Sequence, residues 1–170
     1  EGAVSWSFEF ENKRWFDGFR SMATNGVDKP VLNVFRMFGM MEGNRVKVIR
    51  DNSYDADRII TEKVRGEISD IDALASRKNN EASIMVWNYH DDYLPAPSSN
   101  VTINIDGIPA DKIYLHHYRV DKKHSNSYTL WRQMGAPQQV TNNQYKKLEK
   151  AGQLELLNSP KWIDVSNGKT

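Results

Sequence analysis

The sequence predicts a mainly β protein, a β-sandwich with short helices preceded by one βα unit. Three observations carry that expectation. Residues 5 to 12, SWSFEFEN, alternate strictly with period two. A helical stripe follows from Val31 to Met41, ahead of Gly43. Beyond Gly43 the segments become short, strand-like and separated by Asn, Gly, Pro and Asp clusters, as in a sandwich. A boundary therefore falls at Gly43–Asn44 and gives segments 1–43 and 44–170.

In the opening strand Trp6, Phe8 and Phe10 share one face, and Ser5, Ser7, Glu9 and Glu11 share the other. NKRWFDGFRSMATNGVDK is rich in turn formers and reads as a long loop. Asp28-Lys29-Pro30 supplies an N-cap and a first-turn proline. Val31, Val34, Phe35, Phe38 and Met41 then recur at helical spacing. Leu32, Met37 and Met40 widen the stripe, so the helix is expected to be buried on more than one side.

The later segments RVKVI (45–49), ADRIITEKVRG (56–66), IDALASR (71–77), ASIMVWNYH (82–90), VTINIDG (101–107) and KIYLHHYRV (112–120) read as strands. SIMVWNY is apolar on both faces, as in a central strand, so Trp87 and Tyr89 are expected in the core. Ser125-Asn126-Ser127 caps a short helix closed by Gly135. Thr141 with Gln144 makes a capping box for another, closed by Gly152. QLELL and KWIDV read as further strands. The final NGKT carries a hairpin signal with no partner strand after it, and both ends read as cut from something longer.

The 170 residues suffice for one domain with a real core. Lys and Arg total 23 against 22 for Asp and Glu, so no long-range field favours nucleic acid or an anionic membrane. With no cysteine, disulfides and thiolate metal sites are excluded. No apolar run reaches membrane-spanning length, and EGAVSWSFEF is not a signal peptide. His90-Asp91-Asp92 and His116-His117 are the only hints of metal ligands. Neighbours on a strand point to opposite faces, so no metal site is expected. No nucleophile elbow, phosphate loop or dinucleotide fingerprint appears, and no cofactor is expected.

Glu9 and Glu11 raise the question of a glycosidase pair, because carboxylates two positions apart on a strand lie roughly 7 Å apart. Such catalysis needs carboxyls flanking the sugar from different directions, whereas strand neighbours approach from one side. Two readings remain: a solvated strand face, or substrate contacts inside a larger site. Trp6, Trp15 and Phe16 can stack on the apolar face of a sugar. Trp6 serves equally as core, and Trp15 and Phe16 as pins for their loop.

SWSFEFENKRWFDGFRSMATNGVDKPVLNVFRMFGMM resembles the last βα unit of the catalytic barrel in family-39 glycoside hydrolases. SIMVWNYHDDYLPAPSSNVTINIDG, HHYRVDKKHSNSYTLWRQMG and QYKKLEKAGQLELLNSPKW resemble the accessory sandwich of the bacterial β-xylosidases in that family. The likeness implies that residues 1–43 are the last strand, loop and helix of a (β/α)8 barrel. Residues 44–170 are then a β-sandwich accessory domain lacking terminal strands. It further implies a retaining enzyme whose acid/base and nucleophile, at the ends of barrel strands four and seven, lie upstream of Glu1. The family's strand-eight glutamate, which binds sugar hydroxyls, maps onto Glu11, with Glu9 as second carboxylate and Trp6 as an aromatic wall.

The expected partners are xylosides or xylo-oligosaccharides, with the chain not catalytically competent alone and the bacterial compartment, cytoplasm or periplasm, left open. Exposed strand edges and an apolar helix imply self-association, or repacking of residues 1–43 on the sandwich. An alternative is an autonomous carbohydrate-binding module built on Trp87, Tyr89, Tyr114 and Tyr118. A third reading is a purely structural or oligomerisation domain.

Overall fold

The computed structural model describes residues 13–18, 21–51, 53–65, 69–92 and 98–170. The expected opening strand lies outside them, and with it Trp6, Glu9 and Glu11. The chain divides into two units, Glu1–Met37 with Ile105–Thr170, and Phe38–Asn104.

In the first unit, what reads as loop contains a hairpin, β1 (Ala23–Thr24) against β2 (Val27–Asp28). Asn25 and Gly26 both take positive φ, 48° and 81°, the type I′ turn that Asn-Gly favours. A Cβ on Gly26 would come within 2.9 Å of the Tyr145 hydroxyl. Helix α1 (Pro30–Gly39) starts one residue beyond β2, with proline at its first position as expected.

Asp28 does not cap that helix. Its carboxylate accepts from Arg36 Nη1 at 2.7 Å and from Gln153 Nε2 at 3.3 Å. Nor is α1 buried on several sides: its one fully buried residue is Asn33, while Val31 and Phe38 stay about 40% exposed. The reason is that α1 docks along a polar line. The Asn33 amide donates to Gly152 O at 2.7 Å and Ser125 O at 3.1 Å, and Ser127 Oγ donates to Asp28 O.

Helix α3 (Ser127–Gln133) is capped by Asn126, whose Oδ1 accepts from Thr129 N at 2.9 Å. Helix α4 (Asn142–Gly152) carries the Thr141–Gln144 capping box read from the sequence. Between these helices and the hairpin sits the core, Val27, Trp131 and Leu148, at 0%, 7% and 0% exposure. Gly152 is required at the seam, since a Cβ there would meet Asp28 O at 2.8 Å.

Three expected strands are shorter or absent. Residues 112–120 give only Lys112–Leu115, paired antiparallel with Lys161–Asp164 so that Tyr114 faces Trp162. VTINIDG and QLELL contribute single bridges, Asp106 to Lys169 and Leu156 to Tyr118. The NGKT signal is used within the chain: Asn167 and Gly168 turn at φ 54° and 69°, and Thr170 exchanges backbone hydrogen bonds with Ile105.

The second unit is a meander, β3 (Asn44–Val46), β4 (Asp70–Lys78) and β5 (Glu81–Tyr89), antiparallel throughout in that spatial order. Gly43 enters it at φ 83°, where a Cβ would collide with Arg77 O at 2.2 Å. The stretch 56–66, expected as strand, forms helix α2 (Ala56–Glu62). Asp55 caps it by accepting from Arg58 N at 2.7 Å, and Arg58 pairs with Glu62 at 3.0 Å. These local terms outweigh the β-preference of Ile59-Ile60, and Ile60 ends 68% exposed. Asp70 and Asp72, at 3% and 7% exposure, are satisfied in place. Tyr54 N and Trp87 Nε1 donate to Asp70, and Arg50 pairs with Asp72.

Taken over both units, the described residues hold helix and strand in about equal amounts, in small sheets. The described residues are therefore less strand-rich than expected, because α2 replaces a strand and three other runs stay largely irregular.

Candidate functional site

Trp15 and Phe16 stand in a turn closed by Asp17 N donating to Arg14 O at 3.0 Å. Phe16 has φ 57°, the left-handed region that an aromatic side chain enters at a cost of about 1–3 kcal/mol. Such a conformation persists only where neighbours fix it. Phe16 N donates to Thr24 Oγ1 at 2.8 Å, tying the turn to the hairpin. Trp15 N donates to Gln138 Oε1 at 2.9 Å, tying it to the α3–α4 connection.

Both rings then lean on the core and stay half-buried. The Phe16 ring lies 4.9 Å from Trp131 and 5.4 Å from Tyr128, and the Trp15 ring meets Tyr145 edge-on at 6.2 Å. Trp131 is itself anchored through Nε1 to Pro137 O at 2.9 Å. The result is one aromatic ledge with an inner face packed and an outer face at solvent. These contacts match the reading of the two rings as pins for their loop.

Lys29, nine-tenths buried just before α1, reaches back to the same turn. Its ammonium donates to Asp17 O at 3.2 Å, to Gly18 O at 3.4 Å and to Ser21 Oγ. Neither Lys29 nor Gln138 is singled out by the sequence. Lys29 reads as a helix-start residue, and Gln138 is one polar side chain in a polar connection.

The aromatics of the alternative module separate. Trp87 and Tyr89 belong to the second unit, Tyr114 and Tyr118 to the first. Trp87 is half-buried, whereas Tyr89, expected in the core, is 49% exposed and donates its hydroxyl to Asp91 at 2.8 Å. That bond first, and then burial, raise the Tyr89 phenol above its ordinary range; the same bond, with Val64 N donating to Asp91, lowers the Asp91 carboxyl. The Tyr114 ring lies tilted against Trp162 at 5.0 Å, 53% and 66% exposed respectively, with His116 edge-on at 5.1 Å. Trp162 escapes notice in the sequence, because its place opposite Tyr114 depends on a pairing 48 residues apart in the chain.

His90 Nδ1 accepts from Asp92 N at 2.9 Å. Among the described residues no group of three His, Asp or Glu is arranged to hold an ion. No described helix is long and apolar enough to cross a membrane. In the first unit, burial lowers His117, with Arg119 adding to the effect. Burial also pushes Asp121 up, but hydrogen bonds from Lys123 N and from the His124 backbone and ring outweigh it and leave the carboxyl below its usual range.

Residues 4–160 match the model of glycosyl hydrolases family 39, and the chain belongs to that family. A β-xylosidase from Caldicellulosiruptor saccharolyticus is 21% identical over 139 residues, which are 81% of this chain and 25% of that protein. The crystal structure of the GH39 enzyme from Xanthomonas axonopodis pv. citri resembles the chain with a TM-score of 0.62 at 14% identity, covering 85% of this chain and 27% of that one. The chain thus spans about a quarter of the length of these relatives.

Proposed function

We propose that this chain is the C-terminal portion of a retaining β-xylosidase-like glycoside hydrolase that supplies one wall of the sugar pocket. Residues 1–43 form the last strand, loop and helix of the (β/α)8 barrel, and residues 44–170 form the accessory β-sandwich. The observation that carries the reading is the family match over residues 4–160, a range that takes in the candidate strand, the braced turn and the later segments. The name of the C. saccharolyticus relative supports xylosides as substrates. The sandwich assignment is supported by the described strand pairs beyond residue 43, all antiparallel.

In this reading Glu11 binds hydroxyls of the bound sugar, Glu9 is the second carboxylate, and Trp6, Trp15 and Phe16 form the aromatic side. The acid/base and nucleophile belong to earlier barrel strands. The chain alone therefore does not turn over an aryl β-xyloside. Hydrolysis by the purified chain that Glu11→Gln abolishes would overturn the assignment. Exposed Ile49 and Ile60, 83% and 68%, support self-association, which sedimentation tests as a mass above the monomer.

One observation favours a second reading, a carbohydrate-binding surface independent of the pocket. It is the solvent-facing pair Tyr114 and Trp162. Xylo-oligosaccharide titration separates the two readings by which tryptophan responds.

A further inference from the structure

We propose that Lys29 is the positioning residue that holds Trp15 and Phe16 in the direction in which they meet the sugar. The inference rests on the pocket-wall reading for its functional sense, and on the geometry of the turn for its structural content.

Burying an ammonium is unfavourable unless acceptors replace its water. Lys29 is 9% exposed, and its ammonium is placed among the Asp17 and Gly18 carbonyls and the Ser21 hydroxyl. An ammonium carries three N–H donors, so a single side chain can gather several oxygens of one turn, which an aliphatic residue cannot do. The two carbonyls are those immediately after Trp15-Phe16.

The clamp acts where the backbone most needs it. Phe16 sits at φ 57° and Gly18 at φ 93°, two left-handed residues within three positions. The bonds to Thr24 and Gln138 hold the amide side of the turn. Lys29 holds the carbonyl side, and Ser21 Oγ reinforces it by donating to Gly18 O at 3.2 Å. With the carbonyl side released, the turn can relax toward ordinary negative φ, and the two rings would swing off Trp131 and Tyr145. Lys29 is the single residue between β2 and α1: the carbonyl of the preceding Asp28 accepts from Ser127, and Lys29 O itself accepts from Leu32 N in the first turn of α1 at 3.0 Å. Its backbone is thus fixed independently of the turn it holds.

The test uses the absence of cysteine. Lys29→Cys introduces a single thiol. Alkylation with 2-bromoethylamine in denaturant, the thiolate displacing bromide, followed by refolding, returns an ammonium at nearly the original reach. The readout is hydrogen exchange at the Trp15 and Phe16 amides, with the α4 amides of Leu148 and Glu149 as internal reference. The unalkylated variant should lose about tenfold or more of the protection at residues 15 and 16 while α4 changes less than about twofold, and alkylation should restore it.

Equal loss at both places, or no loss at the turn, would overturn the proposal. If Lys29→Cys does not refold, Ser21→Ala decides instead. It removes one acceptor of the ammonium together with the Ser21 donation to Gly18 O, and should lower protection at the same two amides without touching α4; unchanged protection there would again overturn the proposal. The exchange result stands apart from sugar binding. A failed pocket reading would leave the protection pattern intact, with Trp15 silent to xylo-oligosaccharide.

Discussion

The two units bury different things. The first packs Val27, Trp131 and Leu148 beside a seam of fully buried small polar groups, Asn33, Ser125 and Ser127, whose partners lie far away in sequence. The second buries two carboxylates, Asp70 and Asp72, beside Tyr54, Val64 and Met85 on a meander of sequential strands. Order in the first unit depends on a few long-range contacts that admit no extra volume. In the second it depends on strand register and leaves aliphatic residues such as Ile49 at solvent. The braced turn of Trp15 and Phe16 belongs to the first kind, which is where a surface needing a fixed direction is best built.

The difference between the units should show most strongly at Leu148. Its truncation to alanine leaves a cavity in the only apolar cluster described for the first unit and should cost about 2–5 kcal/mol. Thermal unfolding checks the size, and exchange should place the loss in α3 and α4 ahead of β4 and β5. Equal loss in the meander would show one cooperative body instead of two. Asn33→Ala removes the donor to Ser125 O and Gly152 O and should cost about 2–4 kcal/mol, read by denaturant midpoint. Gly152→Ala sets a methyl against Asp28 O and should cost about 1–3 kcal/mol by the same measurement.

In the second unit, Val46→Ala at a 41% exposed edge position should stay within about 0.5 kcal/mol. The smallest effect is on pH dependence. His117 and Asp121 both have lowered folded values, so the unfolded chain takes up protons first as pH falls. Their contribution is present at neutral pH. It is lost first below about 6.5, as His117 protonates in the unfolded chain, and again below about 4 as Asp121 does. His117 is largely at solvent and the partial burial that lowers it is slight, so this slope is shallow, and His117→Gln should flatten its upper part in a series of melting curves.

Much of the local structure was legible in the sequence. The Thr141–Gln144 box, the Asn126 cap, the proline start of α1 and the strands at 71–77 and 82–90 are all written in short-range signals. Where local signals compete, the reading fails. Ile59-Ile60 suggested a strand, yet Asp55 and the Arg58–Glu62 pair make a helix. The Asn25-Gly26 hairpin was hidden inside a run of turn formers that reads as loop.

The site was legible in half. Trp15 and Phe16 stand out as loop aromatics, but their supports do not. Gln138 is 123 positions from Trp15, and Lys29 reveals its role only once its ammonium is seen folded back on the turn. Pairings across such distances carry no periodicity, and composition does not record them.

The most direct test of the pocket-wall account is a xylo-oligosaccharide titration of the purified chain, followed through the indole resonances of its five tryptophans. The account predicts weak, progressive shifts at Trp15 with Trp162 unmoved. Saturable shifts at Trp162 with Trp15 silent would contradict it and assign the sugar to the paired strands Lys112–Leu115 and Lys161–Asp164 instead.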